Sequence, residues 1–381
     1  MHQREGLQGA ALPGQARAHL VGGQCRRRTR RRGVRIFDDA YREISRIRAG
    51  NGYRGDLHEF LITPQDTALL TAYAEVEVPA DLSPVGGGKY GAVWDGIAQE
   101  VDIETGEVHF EWHSLDHVGV EESYVAPLED PAYIYDYFHI NSIAVDYDGD
   151  LLISARNTWT VYKVDRQSGE VLWRLGGKES DFEMGEGTRT AFQHDARRQE
   201  DGTITIFDNG AHPQVHEQSR AILLRLVEEE MSATLLREYA SPEKVLSTSQ
   251  GNAQLLSNGN VMVGWGSAPC FSEFSRDGKM LLNAEFPPEC ESYRAFRFSW
   301  SGHPADTPAL ALEQRSRNSV AMHVSWNGAT EVATWEVISG PRPNRLEPLG
   351  SAPATVSRWP CWHRPQIHTS PRGPGIVLAK F

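Results

Sequence analysis

Three histidines hold matched places in this chain: His58 in DLHEF, His139 in YFHIN and His194 in FQHDA each stand at the head of a hairpin pattern. Imidazole titrates near neutrality, so rings gathered on one pocket can bind an anion, move protons or attack an electrophile. For any one of them the alternative is a hydrogen bond to a neighbouring element, and the matched position in three units favours the shared pocket. Arg156 follows the central hairpin and Arg220 lies in HEQSRAILL. A planar donor fork at either place suits a tetrahedral anion, although each also fits a surface ion pair. Asn141 and Asn157, beside His139 and Arg156, are candidates for binding the same substrate. The wide separation of the histidines carries no metal-site signature, and neither a metal nor another cofactor is expected.

The elements that must position these residues are strands. HINSIAVDYDGDLLISARNTWTVYKVDRQSGEVLWRLGG (139–177) alternates apolar and polar residues, turns at Asp148-Gly149 and again between Asp165 and Gly169, and so reads as four antiparallel strands. Four strands in about 40 residues is the size of one propeller blade. The outer half of the unit recurs as VRIFDDAYREISRIRAG, QEVDIETGEVHFEWH, YKVDRQSGEVLWRLGG and SEFSRDGKMLLNAEF, with a degenerate copy at 223–239. The inner half recurs as DLHEFLITPQDTALLTAY, FHINSIAVDYDGDLLISA, QHDARRQEDGTITIFDNG and QGNAQLLSNGNVMVGWG, the last with Gly251 in the histidine's place. Repeats of this length without a helical pattern argue for blades around an axis. The first outer hairpin has no inner partner before it, so either segments without this pattern complete the ring or the chain lacks part of its first blade.

The expected organisation is therefore all-β: a disordered basic leader over 1–32, a propeller over 33–298, strands of a small and incomplete β-sandwich over 299–345, and an irregular tail over 346–381. Arg26–Arg32 holds six arginines with no apolar or aromatic interleaving, as in a solvated extension. Ser292–Trp300 reads as one more strand, and three alternating strands surround Asn327-Gly328. A net charge of −13 disfavours nucleic acid and anionic membrane as partners. No apolar run reaches the roughly 18 residues that span a bilayer, and none resembles an export signal. Four cysteines make no disulfide framework; Cys270 and Cys290 bracket a hairpin and are either bridged or two independent thiols.

The central unit, together with QHDARRQEDGTITIFDNG, the SRA of 219–221 and LSNGNVMVGWGSAPCFSEF, resembles the arylsulfotransferase family, in particular its branch with a C-terminal Ig-like extension. The similarity runs from about Val34 to Gly340. It implies a six-bladed propeller that moves a sulfuryl group from a phenolic sulfate to a phenol without a nucleotide donor, and an extracytoplasmic setting. By the same resemblance His139 and His194 match two assisting histidines and Arg220 an assisting arginine. The family's nucleophilic histidine belongs in the blade that begins near Gly251, where VMVGWGSAPCFSEF has none. His58 is then a substitute nucleophile, or transfer is direct, or the protein only binds its ligand. Two other readings stand beside this one: VDIETGEVHFEW and VDRQSGEVLW also resemble quinoprotein propeller repeats, and a propeller rim can serve as a non-catalytic binding surface.

Overall fold

The computed structural model describes residues 7–12, 15–20, 33–78, 82–88, 91–128, 133–287, 290–316, 319–342, 345–354, 368–369 and 375–380. The chain divides into two compact units, the larger containing Ser45–Phe298 and the smaller containing Phe37–Ile44 and Ser299–Phe381.

The fold is an all-β propeller type in which sheets follow one another along the chain. Gly55–Ile62, Thr67–Val78, Gly91–Asp102 and Val108–His113 form one antiparallel sheet. Ile140–Val145, Leu151–Ala155, Thr160–Val164 and Val171–Gly176 form the next. A third joins His194–Arg198, Ile204–Asp208, Arg220–Val227 and Ser232–Ala240, with Glu183–Met184 added parallel at its edge. A fourth comprises Asn252–Leu255, Val261–Gly264, Cys270–Phe274 and Met280–Glu285. The leading strands of these four sheets pack side by side in chain order, which brings the residues that open them together.

Two recurring devices explain why the repeats fold alike. In the turns after Asp102 and Asp165 the aspartate Oδ1 accepts two backbone N–H groups, from Glu104 and Thr105 in one case and from Gln167 and Ser168 in the other. Gly106 and Gly169 then take positive φ, which closes each loop without a Cβ clash. Second, in two of the sheets a tryptophan of the outer strand is pinned to the following sheet: Trp112 Nε1 donates to Gly169 O at 3.0 Å and Trp173 Nε1 to Glu228 Oε2 at 3.1 Å. The period of two divides the core between neighbours. In the fully buried LLISA strand, Leu151 and Ile153 pack with Leu69, Trp112 and Tyr162, while Leu152 packs with Trp173, Ile204 and Ile222.

Three expectations about the ends need correction. Leu7–Leu12 and Gln15–Leu20, inside the leader expected to be structureless, are strands that join Val34–Phe37 and Glu43–Ile47 in a four-stranded sheet. Pairing covers the open edge that the first hairpin would otherwise expose. Five blade-like sheets are thus present among the described residues, against the six implied by the family resemblance. The arginine block Arg26–Arg32 lies outside the described residues.

Ser292–Trp300 is irregular and not a strand. It hangs beside Asn252–Leu255 by side-chain bonds: Asn252 Oδ1 accepts Ala295 N–H at 2.7 Å, its Nδ2 donates to Ala295 O at 2.9 Å, and Gln254 bonds Arg297 in the same two-way manner. Amide side chains here replace the backbone ladder that apolar alternation suggested.

In the smaller unit Ala309–Ser316, Ser319–Ser325 and His368–Thr369 form one three-stranded sheet, and Arg345–Pro353, Thr334–Arg342 and Gly375–Lys380 another. The tail expected to be irregular over 346–381 therefore carries strands. Pro348 obscures the pattern in sequence, but it sits opposite Ile338 at a register shift on an edge strand, where proline is tolerated. Cys270 and Cys290 are free thiols. Among the described residues no helix is long and apolar enough to cross a membrane.

Candidate active site

His58 lies near the start of the leading strand of its sheet, and His139 immediately precedes the leading strand of the next. Each is held by an aspartate just upstream. Asp56 Oδ2 accepts the backbone N–H of His58 at 3.0 Å and also takes a short hydrogen bond from His58 Nδ1. Asp136 Oδ1 accepts the backbone N–H of His139 at 3.1 Å, while Oδ2 takes His139 Nδ1. A carboxylate can only accept, so beside it a ring in its neutral form carries the proton on Nδ1 and offers the lone pair on Nε2. The two rings meet edge to face with centroids 4.9 Å apart and planes at 84°.

The electrostatics of the two dyads differ. Burial pushes the Asp56 carboxyl up, but the His58 charge and the hydrogen bonds from His58 and Leu57 outweigh it and hold the group at about 2. Burial drives His139 below the ordinary imidazole value, with the charges of His58 and Arg156 adding to it and Asp136 opposing. His139 is therefore a neutral ring near pH 7, able to accept a proton.

His194 has another environment. It is 1% exposed, Nδ1 donates to Asn209 Oδ1 at 2.7 Å, and Nε2 accepts the backbone N–H of Gln250 at 3.2 Å. The orientation of Asn209 is set by its own amide, which donates to Ser247 O and Gln250 O. Burial, then the Arg156 charge, depress His194 well below the usual range. With both nitrogens engaged, His194 is a fixed neutral wall of the site.

Two tyrosines complete the ring of side chains. Tyr73 stacks edge-on to His58 at 6.0 Å and donates its hydroxyl to Ile140 O at 3.0 Å. Tyr293 stands edge-on to His58 at 5.5 Å and to His194 at 6.3 Å. Beneath them two carboxylates and two guanidiniums close the centre. Arg294 donates to Glu59 at 3.0 and 3.3 Å and to Asn141 O at 3.0 Å. Arg197 bonds Glu59, Asp195 Oδ1 at 2.9 Å and Ile143 O at 2.7 Å. The four charges cancel, giving the site a neutral, buried floor.

The remaining sequence candidates separate. Arg156 lies over the Phe192 ring at 4.7 Å, is tethered by Nη1 to Asn157 Oδ1 at 2.7 Å, and acts electrostatically on His139 and His194. Asn157 in turn donates to Asp136 O at 2.6 Å, so it supports both the arginine and the dyad. Asn141 is buried between sheets and donates to Gln193 O at 2.9 Å. Arg220 is not brought to the rings by any described contact. It is committed to Asp208 at 3.0 Å, Glu238 at 2.9 Å and the carbonyls of Gly187 and Arg189. Gly251 has φ +107, and a Cβ there would meet the Phe207 ring at 2.3 Å. No side chain can occupy that position without displacing the ring. Sequence reasoning did not select Asp56, Asp136, Tyr73 or Tyr293; an aspartate two or three residues before a histidine was the available signal for the first two. Among the described residues no group of three His, Cys, Asp or Glu is arranged to hold a metal ion.

Comparison with protein families matches the arylsulfotransferase (ASST) family over residues 33–287. No curated protein matches the chain. Among solved structures the chain is similar to a protein of unknown function from Bacteroides caccae, with 14% identity, TM-score 0.38, and coverage of 80% of this chain and 81% of that one. It is also similar to virginiamycin B lyase from Staphylococcus aureus, with 7% identity, TM-score 0.37 and coverage of 84% and 96%. A third similar structure is the calcium-binding protein regucalcin from Agrobacterium tumefaciens, with 11% identity, TM-score 0.37 and coverage of 83% and 80%.

Proposed function

This chain belongs to the arylsulfotransferase (ASST) family, and on that premise we propose that it transfers a sulfuryl group from a phenolic sulfate to a phenol at the paired histidines His58 and His139. The observation that carries this reading is the facing pair of rings, centroids 4.9 Å apart, each held at Nδ1 by an aspartate, which leaves Nε2 as the nitrogen for chemistry.

The residues suit a two-step displacement. In the first step His58 Nε2 attacks sulfur, the N–S bond forms, and the S–O(aryl) bond breaks with its electron pair leaving on the phenolate, which solvent protonates. Asp56, held ionised, balances the positive charge that the sulfated imidazole acquires. In the second step the acceptor phenol gives its proton to His139 Nε2 while its oxygen attacks sulfur. The S–N bond breaks, returning the pair to His58, and His139 then releases the proton to solvent. Sulfuryl transfer, like phosphoryl transfer, places negative charge on peripheral oxygens, and Arg156, whose charge acts on His139 and His194, is the cation we assign to stabilise it.

The test is release of phenol from a chromogenic aryl sulfate with and without a phenolic acceptor, combined with mass spectrometry of the protein quenched during turnover. A sulfated intermediate that is present in the parent and absent from His58→Ala supports the assignment. A parent protein that neither turns over nor binds aryl sulfate would replace the enzyme by a binding propeller.

A further inference from the structure

We propose that the Tyr293 hydroxyl is a further oxygen-binding group of this site, a neutral donor that hydrogen-bonds an oxyanion of the bound sulfate ester. The inference rests on the functional reading above and extends it to a residue beyond the stretch matched by the family, which ends at 287.

The hydroxyl of Tyr293 is buried and has no hydrogen-bond partner among the described residues. A buried phenol without a partner is less stable than a satisfied one, so a fold that keeps it calls for an explanation. Its neighbours show that its place is built. The Tyr293 carbonyl accepts the N–H of Gly251 at 3.0 Å, and the next residue, Arg294, is locked by Glu59 and by an ion pair with Asp195 at 3.2 Å. The ring is wedged edge-on between His58 and His194. Tyr73, the other phenol of the cluster, has its hydroxyl satisfied by Ile140 O. Of these two phenols only Tyr293 retains an unused donor.

The group suits an oxyanion for electrostatic reasons. Burial, reinforced by the nearby carboxylates and opposed by Arg294, raises its pKa far above the ordinary phenol value, so it remains a donor across the physiological range. A neutral donor adds stabilisation to sulfuryl oxygens without adding a charge that would have to be desolvated with no ligand present.

Tyr293→Phe tests this, because it removes one oxygen and keeps the ring. Thermal unfolding of the ligand-free variant should be unchanged or shifted upward, whereas Tyr73→Phe, which breaks a satisfied bond, should unfold at lower temperature. Aryl sulfate turnover in Tyr293→Phe should fall at least tenfold, and binding of 4-nitrophenyl sulfate, read by calorimetry, should weaken in parallel. Turnover and binding within twofold of the parent would overturn the role of Tyr293 while leaving the enzyme reading intact. Should the parent bind the ester without turning it over, the enzyme reading fails and the binding comparison alone decides Tyr293. A parent that binds no ester overturns both.

Discussion

Asp136 grips His139 twice, through the backbone N–H at 3.1 Å and through ring Nδ1, and His139 itself has φ +56°. A non-glycine residue in the left-handed region costs on the order of 1–3 kcal/mol and persists where its surroundings over-determine it. Here the carboxylate sets the backbone, the rotamer and the tautomer of one side chain together.

Replacing Asp136 with Asn should therefore impair catalysis far more than folding. The amide can still meet the backbone N–H, but it can offer its NH₂ to the ring and invert the tautomer. A fall in kcat of roughly 10²–10⁴ is expected by analogy with other histidine–aspartate pairs. Steady-state kinetics with chemical unfolding as a control would check it; a kcat within threefold of the parent would show that the tautomer is set elsewhere.

The two arginines singled out in the sequence should separate by phenotype. Arg156→Ala removes the guanidinium that acts on His139 and His194, and should weaken aryl sulfate binding or turnover at least tenfold. Arg220→Ala leaves the buried Asp208 without its guanidinium and should lower stability by about 3–5 kcal/mol. Parallel denaturant titrations of both variants test the contrast.

Glu59 is buried between Arg197 and Arg294 and bonds the N–H of Ile143 at 3.2 Å. Glu59→Ala leaves two buried guanidiniums sharing the single carboxylate of Asp195 and strips the Ile143 N–H of its acceptor, and a loss of about 3–5 kcal/mol is expected. Urea unfolding with the midpoint barely moved would mean that the network contributes little.

Acid should destabilise the protein in two stages. His139 and His194 have depressed pKa values when folded, so below about 6.5 the unfolded chain binds more protons and stability falls with decreasing pH. Glu59 and Asp56 are also depressed when folded, against ordinary values near 4, and their contribution is present above that range and lost as pH falls through the folded values, about 2 for Asp56. Unfolding free energy measured from pH 7.5 to 3 should decline from about 6.5 downward and continue below 4. A flat profile between 7 and 5 would contradict the neutral state assigned to the two histidines.

Local chemistry determined much of this protein in advance. Alternation in LLISA and TVYKV, the Asp-to-Gly turns after Asp102 and Asp165, and the tryptophans of the outer strands define blades whatever their neighbours are, because a period of two and a positive-φ glycine act within a few residues. The matched places of His58, His139 and His194 were legible for the same reason. Only the tertiary structure decided that Asp56 and Asp136 take Nδ1 of two of these rings while Gln250, distant in sequence, takes Nε2 of the third. It also placed Arg156 with the rings while Arg220 found Asp208 and Glu238. Ser292–Trp300 is the plainest case. Its alternation suggested a strand, but the amides of Asn252 and Gln254 and the buried pair Glu59–Arg294 captured it as an irregular strap, and that strap delivers Tyr293 to the histidines. Such long-range pairings leave no periodic trace in a sequence, because the residues that make them meet only when the sheets pack around a common centre.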